Sequence, residues 1–266
     1  MISAPAPAKI NLALVVGTTR ADGLHDVVTI LQRVALADTV WLERAPELTV
    51  EGFADDTIVR AALAAVASAA GVEPSWRARI EKRIPVAAGL GGGSSDAATA
   101  IRLAVESLGN PLPADTLHAV AKTLGVDVPF FLEPGPKLGT GDGTTLEPLQ
   151  LPQGYAVLLV LPRGERKQST AEIYRRFEGA EGFAERRAAV LEIAAAGWDA
   201  DLAALPANDL ARSPLSARLR ALGAFRADVS GAGPTVYGLF SDPATAGRAA
   251  AELEPLGRVW LTAPAW

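Results

Sequence analysis

The stretch Pro85-Val86-Ala87-Ala88-Gly89-Leu90-Gly91-Gly92-Gly93-Ser94-Ser95-Asp96-Ala97 decides how this chain is read. Before it, Trp76–Lys82 has the alternation of a strand. After it, Ser95–Leu108 places Ala97, Ile101, Ala104, Val105 and Leu108 on one helical face and stops at Gly109-Asn110-Pro111. Glycine lets the backbone adopt conformations closed to other residues and lets a ligand approach the amides closely. A glycine loop that opens a helix therefore gathers N–H donors where the helix dipole favours an anion. Ser94 and Ser95 can cap the helix, bond phosphate oxygens or lend a hydroxyl to Mg²⁺, and position alone does not choose among these. The plain alternative is a flexible turn with an N-cap; the strand–loop–helix setting favours phosphate. No lysine follows the glycines, so the Walker pattern is absent. The dinucleotide pattern fails because its third glycine falls on Ser94 or Asp96.

Working outward, Ala8–Val16 reads as a strand with Lys9 and Asn11 on one side, since residues two apart share a face. Short strands fit Thr39–Arg44 and Leu48–Glu51. A helix fits Ile58–Ala70, with Ile58, Ala62, Ala65 and Ala69 as its stripe, and another fits Ala114–Leu124, closed by Gly125. Past Pro148 the pattern restarts: a strand at Tyr155–Leu161, helices at Ala171–Phe177, Ala184–Ala196 and Pro214–Leu222, strands at Arg226–Val229 and Thr235–Phe240, a helix at Pro243–Leu253 and a strand at Arg258–Thr262. That order predicts a ferredoxin-like arrangement. The expected architecture is α+β, in two domains at residues 1–148 and 149–266 with a cleft between them.

Composition narrows the chemistry. The 266 residues contain no cysteine and two histidines, which excludes disulfides, thiolate nucleophiles and zinc–thiolate sites. A net charge of −5 argues against broad nucleic-acid binding. No leader pattern and no apolar run of membrane-spanning length occurs, so a cytoplasmic protein is expected.

Pro85–Ala97 resembles the phosphate-binding motif of the GHMP kinases. Further blocks fall in family order: Pro7–Leu12, Asp22–His25, Gly125–Leu132, Leu138–Gly141, Ser169–Tyr174, Asn208–Leu210 and Val229–Val236. The resemblance runs from about residue 5 to 262. It implies a two-domain GHMP kinase fold, with an N-terminal ribosomal-S5-like half and a C-terminal ferredoxin-like half. It also implies ATP with Mg²⁺ as cofactors. Within the family the blocks are most similar to the branch that phosphorylates the 2-hydroxyl of a cytidine diphosphate-linked methylerythritol.

The resemblance also assigns residues. Asp127 matches the catalytic base and Lys9 its cationic partner; unaided, Asp127 reads as a helix N-cap or turn former, and Lys9 equally as a strand-end lysine with its head in water or as one whose head reaches an anion. Lys82 and Pro85–Ser95, that is Pro85, Val86, Ala87, Ala88, Gly89, Leu90, Gly91, Gly92, Gly93, Ser94 and Ser95, match the ATP side, although Lys82 alone is an exposed strand lysine. Asn11, Leu24, His25, Thr170, Gly231, Ala232 and Gly233 match the substrate side. Unaided, His25 is a surface-loop imidazole, Thr170 a helix N-cap and Gly231–Gly233 a tight turn between strands. Two positions depart from the family. Leu24 stands where a tyrosine stacks on cytosine, and Thr57 where an asparagine often touches the adenine side. The competing readings are another GHMP kinase, for homoserine or mevalonate, and a non-catalytic nucleotide- or RNA-binding module.

Overall fold

Strands near the N-terminus run longer than their alternation predicts. In a computed structural model, residues 1–53, 58–109, 112–164, 170–179 and 181–266 are described, without the side chains of Thr170 and Ala171. Strand β1 spans Ile2–Thr19 and β2 His25–Arg44. Polar residues that read as interruptions lie inside them with partners. Gln32, for instance, is fully buried and donates its amide to the main-chain oxygens of Arg33 and Ala265.

The chain forms two compact units. The first comprises Met1–Ala8, Leu36–Val86 and Gly91–Pro134; the second comprises Lys9–Ala35, Ala87–Leu90 and Gly135–Trp266. In the first unit, β3 (Thr49–Glu51) pairs parallel with β4 (Trp76–Glu81), and β4 pairs antiparallel with β2 from Thr39↔Glu81 to Arg44↔Trp76. Between β3 and β4 lies α1 (Ile58–Ala70). Its buried face is Val59, Ala62, Leu63, Val66 and Ala67, whereas Ala65 is half-buried and Ala69 exposed. The expected stripe is thus rotated, because Val59, Leu63 and Val66 carry more apolar area than the alanines that suggested it. Thr57 and the Asn110-Pro111 pair lie outside the described residues.

Helix α2 (Gly92–Leu108) packs against α1 and against α3 (Ala114–Leu124). Ser95 through Ile101 are buried without interruption, so the helix is enclosed on all sides over that stretch, beyond its first turn. Gly109, left-handed at φ 66°, ends it, and the Gly125 N–H closes α3 on the Ala121 carbonyl.

In the second unit, β5 (Lys137–Thr140) and β6 (Thr145–Pro148) form a hairpin beside β2, with Thr29 opposite Gly139. The short strands of this hairpin, four residues each, carry no alternation to predict them. Strand β7 (Ala156–Pro162) is followed by α4 (Thr170–Arg176), α5 (Phe183–Ala195) and α6 (Pro214–Ala221). Then come β8 (Arg226–Val229), β9 (Val236–Phe240), α7 (Pro243–Leu253), β10 (Gly257–Thr262) and β11 (Pro264–Ala265). The antiparallel sheet has the order β10-β7-β9-β8, the ferredoxin-like arrangement that the element order predicts. Its core joins Leu158, Val160, Val236 and Phe240 to Leu219 of α6 and to Ala246, Ala249 and Leu253 of α7.

On the sheet, Tyr237 is fully buried, and burial pushes its hydroxyl well above the usual phenol range despite the neighbouring Arg226 charge. Its oxygen accepts from Arg226 Nε at 3.1 Å and donates to the Leu12 carbonyl at 3.1 Å, joining β9 to β1. Tyr237→Phe strands both partners and is expected to cost about 1–3 kcal/mol. A lower urea midpoint with an unchanged slope is the expected readout.

Candidate active site

β1 is buried on both faces from Ala8 to Val16, so its polar side chains need partners. Lys9 and Asn11 lie on one side as the alternation requires, and the Lys9 ammonium donates to Asn11 Oδ1 at 2.7 Å. Asn11 Nδ2 donates to Thr29 Oγ1 at 2.9 Å, and Thr29 donates to the Ala13 carbonyl at 2.7 Å. This buried chain locks the Asn11 amide orientation and fixes Lys9 Nζ.

Around it the second unit folds its part of the glycine loop. The carbonyls of Ala88, Gly89 and Leu90 accept from Thr235 N (3.2 Å), Ser230 Oγ (2.9 Å) and Lys9 N (2.9 Å) in turn. Gly231 belongs to the turn between β8 and β9. A Cβ built on it would stand 3.3 Å from Asn11 Oδ1, 3.6 Å from Lys9 Nζ and 3.6 Å from the Gly89 carbonyl. Three segments distant in sequence thus converge on one point. Asn208 holds the turn from behind, its amide donating to the carbonyls of Val229 and Gly231. Ala87 takes φ 56°, the left-handed region, as no other non-glycine among the described residues does. Such backbone costs on the order of 1–2 kcal/mol and clusters at functional loops.

In the first unit the loop runs into α2 through Gly91, whose φ of 69° makes it the N-cap without any side-chain cap. Ser94 and Ser95 lie inside the first turn and do not cap. Ser95 is fully buried, and its hydroxyl has no hydrogen-bond partner among the described residues. Lys82 is not an exposed strand lysine: its ammonium sits 2.5 Å from Asp38 Oδ2 and 2.6 Å from Asp96 Oδ2, and the side chain is 16% exposed. Burial alone would lower its pKa, but the Asp96 and Asp38 carboxylates outweigh that and hold it above the usual lysine range. Asp127 occupies the turn between α3 and the 3₁₀ segment Pro129–Phe131, half-buried beside fully buried Val128 and Phe130.

Asp22-Gly23-Leu24-His25 forms a tight turn. Arg20 N–H donates to the Leu24 carbonyl, Leu24 N–H donates to Asp22 Oδ1, and Leu24 is 49% exposed. His25 is no surface imidazole. It is buried, with Nδ1 2.8 Å from the Gly17 carbonyl and Nε2 2.9 Å from that of Tyr174. The rings of Tyr174 and Phe177 lie 5.8 Å from it, and both pack on Leu14, Val16 and Val27. Thr170 begins α4, and its side chain lies outside the described residues. Sequence reasoning missed Thr29, Ser230, Asn208, Tyr174 and Asp38. Tyr174, Asn208 and Ser230 carried a signal, as members of the ordered blocks, and Thr29 and Asp38 carried none.

Family models for the GHMP kinases N terminal domain and the GHMP kinases C terminal domain match residues 56–135 and 214–256. The chain is 37% identical to the 4-diphosphocytidyl-2-C-methyl-D-erythritol kinase of Salinibacter ruber, over 94% of each chain. The chain belongs to this kinase family. It is also 38% identical to the enzyme of the same name from Kineococcus radiotolerans, over 96% of this chain and 86% of that one. A crystal structure of 4-(cytidine 5'-diphospho)-2C-methyl-D-erythritol kinase superposes over the full length of both chains, with TM-score 0.82 and 33% identity. A mevalonate kinase crystal structure, at TM-score 0.75 and 14% identity over nearly all of both chains, shares the fold. The protein is therefore an ATP-dependent kinase of the α+β, two-domain GHMP fold. No helix among the described residues is long and apolar enough to cross a membrane.

As a kinase of this family, the protein offers a clean probe of its loop at Gly93. A Cβ there meets only Ile58 Cγ2, at an ordinary 3.8 Å, whereas Gly91 needs its left-handed backbone and a Cβ at Gly92 would press on Ile84 at 3.1 Å. Gly93→Val is expected to keep the melting temperature and raise KM for ATP roughly tenfold by crowding amides that bond a charged group. An unchanged KM in the folded variant places the phosphates elsewhere.

Proposed function

We propose that this chain transfers the γ-phosphoryl group of ATP to the 2-hydroxyl of 4-diphosphocytidyl-2-C-methyl-D-erythritol, in the non-mevalonate route to isoprenoid precursors. The observation that carries this reading is the convergence of Lys9, Asn11, Gly89 and Gly231 around one buried ammonium, in a chain closely related to kinases named for that substrate. Phosphoryl transfer asks little covalent chemistry of a protein; it needs positioning, charge neutralisation and a proton acceptor.

In this reading the phosphates lie on the loop from Pro85 to Ser95, facing the amides at the start of α2, and Lys82 belongs to the nucleotide side. Asn11 holds the acceptor hydroxyl. Asp127 takes its proton as the oxygen bonds to the γ-phosphorus and the bond to the ADP oxygen breaks. Lys9 neutralises charge on the transferring group. Gly231, Ala232 and Gly233 bring backbone to the substrate without side chains in the way. The residues present fit Mg²⁺ carried on the phosphates, since the buried Ser95 hydroxyl lacks a partner among the described residues. Ser95 would hold the ion, which supplies charge neutralisation when bound. Thr170 and the Leu24–His25 turn form the nucleoside side, with both His25 ring nitrogens committed to carbonyls. Tyr174 offers the aromatic face that Leu24 does not. The domain division near Pro148 is consistent with family matches ending at 135 and resuming at 214.

ATP consumption by the purified protein is measured with the cytidine substrate, its uridine analogue, homoserine and mevalonate. The cytidine compound is expected to be preferred in kcat/KM; equal use of the two nucleosides removes the substrate assignment. Asp127→Asn is expected to lower kcat by roughly 10²–10⁴-fold with ATP binding retained. A near-parental kcat in the folded variant dismisses Asp127 as the base. Tyr174→Leu is expected to raise KM for the cytidine substrate several-fold, since stacking is worth on the order of 1 kcal/mol beyond area burial. No change in that KM sends the stacking role elsewhere.

A further inference from the structure

Asp38 is fully buried at the point where the first unit enters and leaves the glycine loop. One of its oxygens, Oδ1, accepts from the main-chain N–H groups of Arg83 at 2.5 Å and Ile84 at 2.8 Å, the two residues that lead into Pro85. The other, Oδ2, accepts from Lys82 Nζ, which also donates to Asp96 Oδ2 one turn into α2. A Cβ built on Gly92, the first helical residue, would lie 3.5 Å from Asp38 Oδ2. The same carboxylate therefore fastens the strand-side end of the loop directly and the helix-side end through Lys82. The Phe53 ring, 6.0 Å from Lys82 Nζ, lies over the ammonium.

We infer that Asp38, Lys82 and Asp96 form a brace that sets the span of the phosphate loop, with Lys82 acting as a positioning residue whose charge is spent on the two carboxylates. A glycine loop has no side chains with which to fix its own width, so its anchoring residues set how far apart its amides stand. Buried charges in such a cluster need every partner: with Lys82 removed, two carboxylates are left facing each other. One of them, Asp96, sits in the helix whose N-terminus is read as the phosphate site, where an unneutralised carboxylate repels a nucleotide. Asp38 needs no contact with ATP to affect its binding. Residues that orient a binding group in this way typically change affinity or activity by about 10–100-fold when altered.

This inference rests on the loop being the ATP phosphate site, and its test separates the two ideas. Steady-state KM for ATP and for the acceptor, kcat and melting temperature are measured for Asp38→Asn, Lys82→Met and Lys82→Met/Asp96→Asn. The brace predicts that Asp38→Asn raises KM for ATP by on the order of tenfold while KM for the acceptor stays near parental. It also predicts that Lys82→Met raises KM for ATP, and that adding Asp96→Asn recovers most of the loss, since the double variant keeps the cluster's net charge. A lysine that touched the nucleotide itself would lose the same affinity in the single and the double variant, and that result overturns the inference. So does an Asp38→Asn enzyme with parental KM for ATP, or one that loses stability with both KM values unchanged. If Lys82→Met does not fold, Asp38→Asn decides alone. Should Gly93→Val raise KM for ATP while Asp38→Asn does not, the brace fails and the loop reading stands. Should neither raise it, the loop reading has failed first.

Discussion

At Gly89 the structure admits no side chain. A Cβ there would stand 2.5 Å from the Ser230 carbonyl oxygen and 2.8 Å from that of Gly233, and the backbone sits at φ 80°. That approach brings the loop against the turn between β8 and β9, and the surrounding hydrogen bonds depend on it. With the backbones this close, the carbonyls of Ala88, Gly89 and Leu90 are all taken by donors of the second unit. The consequence is electrostatic as well as mechanical. A carbonyl oxygen repels a phosphate, so a loop that binds anions must turn its oxygens elsewhere while keeping its amides available. The Ser230 hydroxyl and the N–H groups of Thr235 and Lys9 give those oxygens somewhere to point.

The two lysines of the site illustrate how charge is allocated in a protein that is acidic overall. Lys9 is fixed through Asn11, a neutral acceptor that adds no negative charge of its own. Lys82 is fixed through two fully buried carboxylates. The first arrangement aims a cation; the second uses one to make buried acids tolerable. Lys82 alone reads as an exposed strand lysine and Lys9 as one that faces water or an anion, and their difference rests on what the fold places around them.

That contrast marks the boundary of what the sequence discloses. Helix α3, with Leu117, Val120 and Leu124 at regular spacing, is found at its expected limits because large side chains make an unambiguous stripe. Alanine-rich α1 is found but turned about its axis, since an alanine contributes too little area to declare a face. The order of the four-stranded sheet follows from its element sequence, whereas the β5–β6 hairpin, too short to alternate, does not. In the site, glycines and a lysine–asparagine pair two residues apart are local signals and were legible. Asp38, Thr29 and Ser230 act through partners 18 to 141 residues away, and no local pattern records such a pairing.

Helix α2 explains why the glycine loop ends where it does. An exposed helix could present the same amides, but its dipole would be worth only about 0.3–1 kcal/mol to a neighbouring anion, against up to about 2 kcal/mol in partly buried settings. Enclosing the helix from Ser95 to Ile101 raises that value by keeping water from screening the dipole. Enclosure requires small side chains, and Ala97, Ala98 and Ala100 supply them. It also makes each buried polar group costly unless it is satisfied. Asp96 Oδ2 meets that demand through Lys82, whereas Ser95 Oγ finds no acceptor or donor among the described residues. A hydroxyl left in that state, one turn from a helix end whose dipole favours anions, is a cost that an added hydrogen-bond partner would remove. The burial that strengthens the helix dipole thereby also gives Ser95 a reason to bind what the dipole attracts.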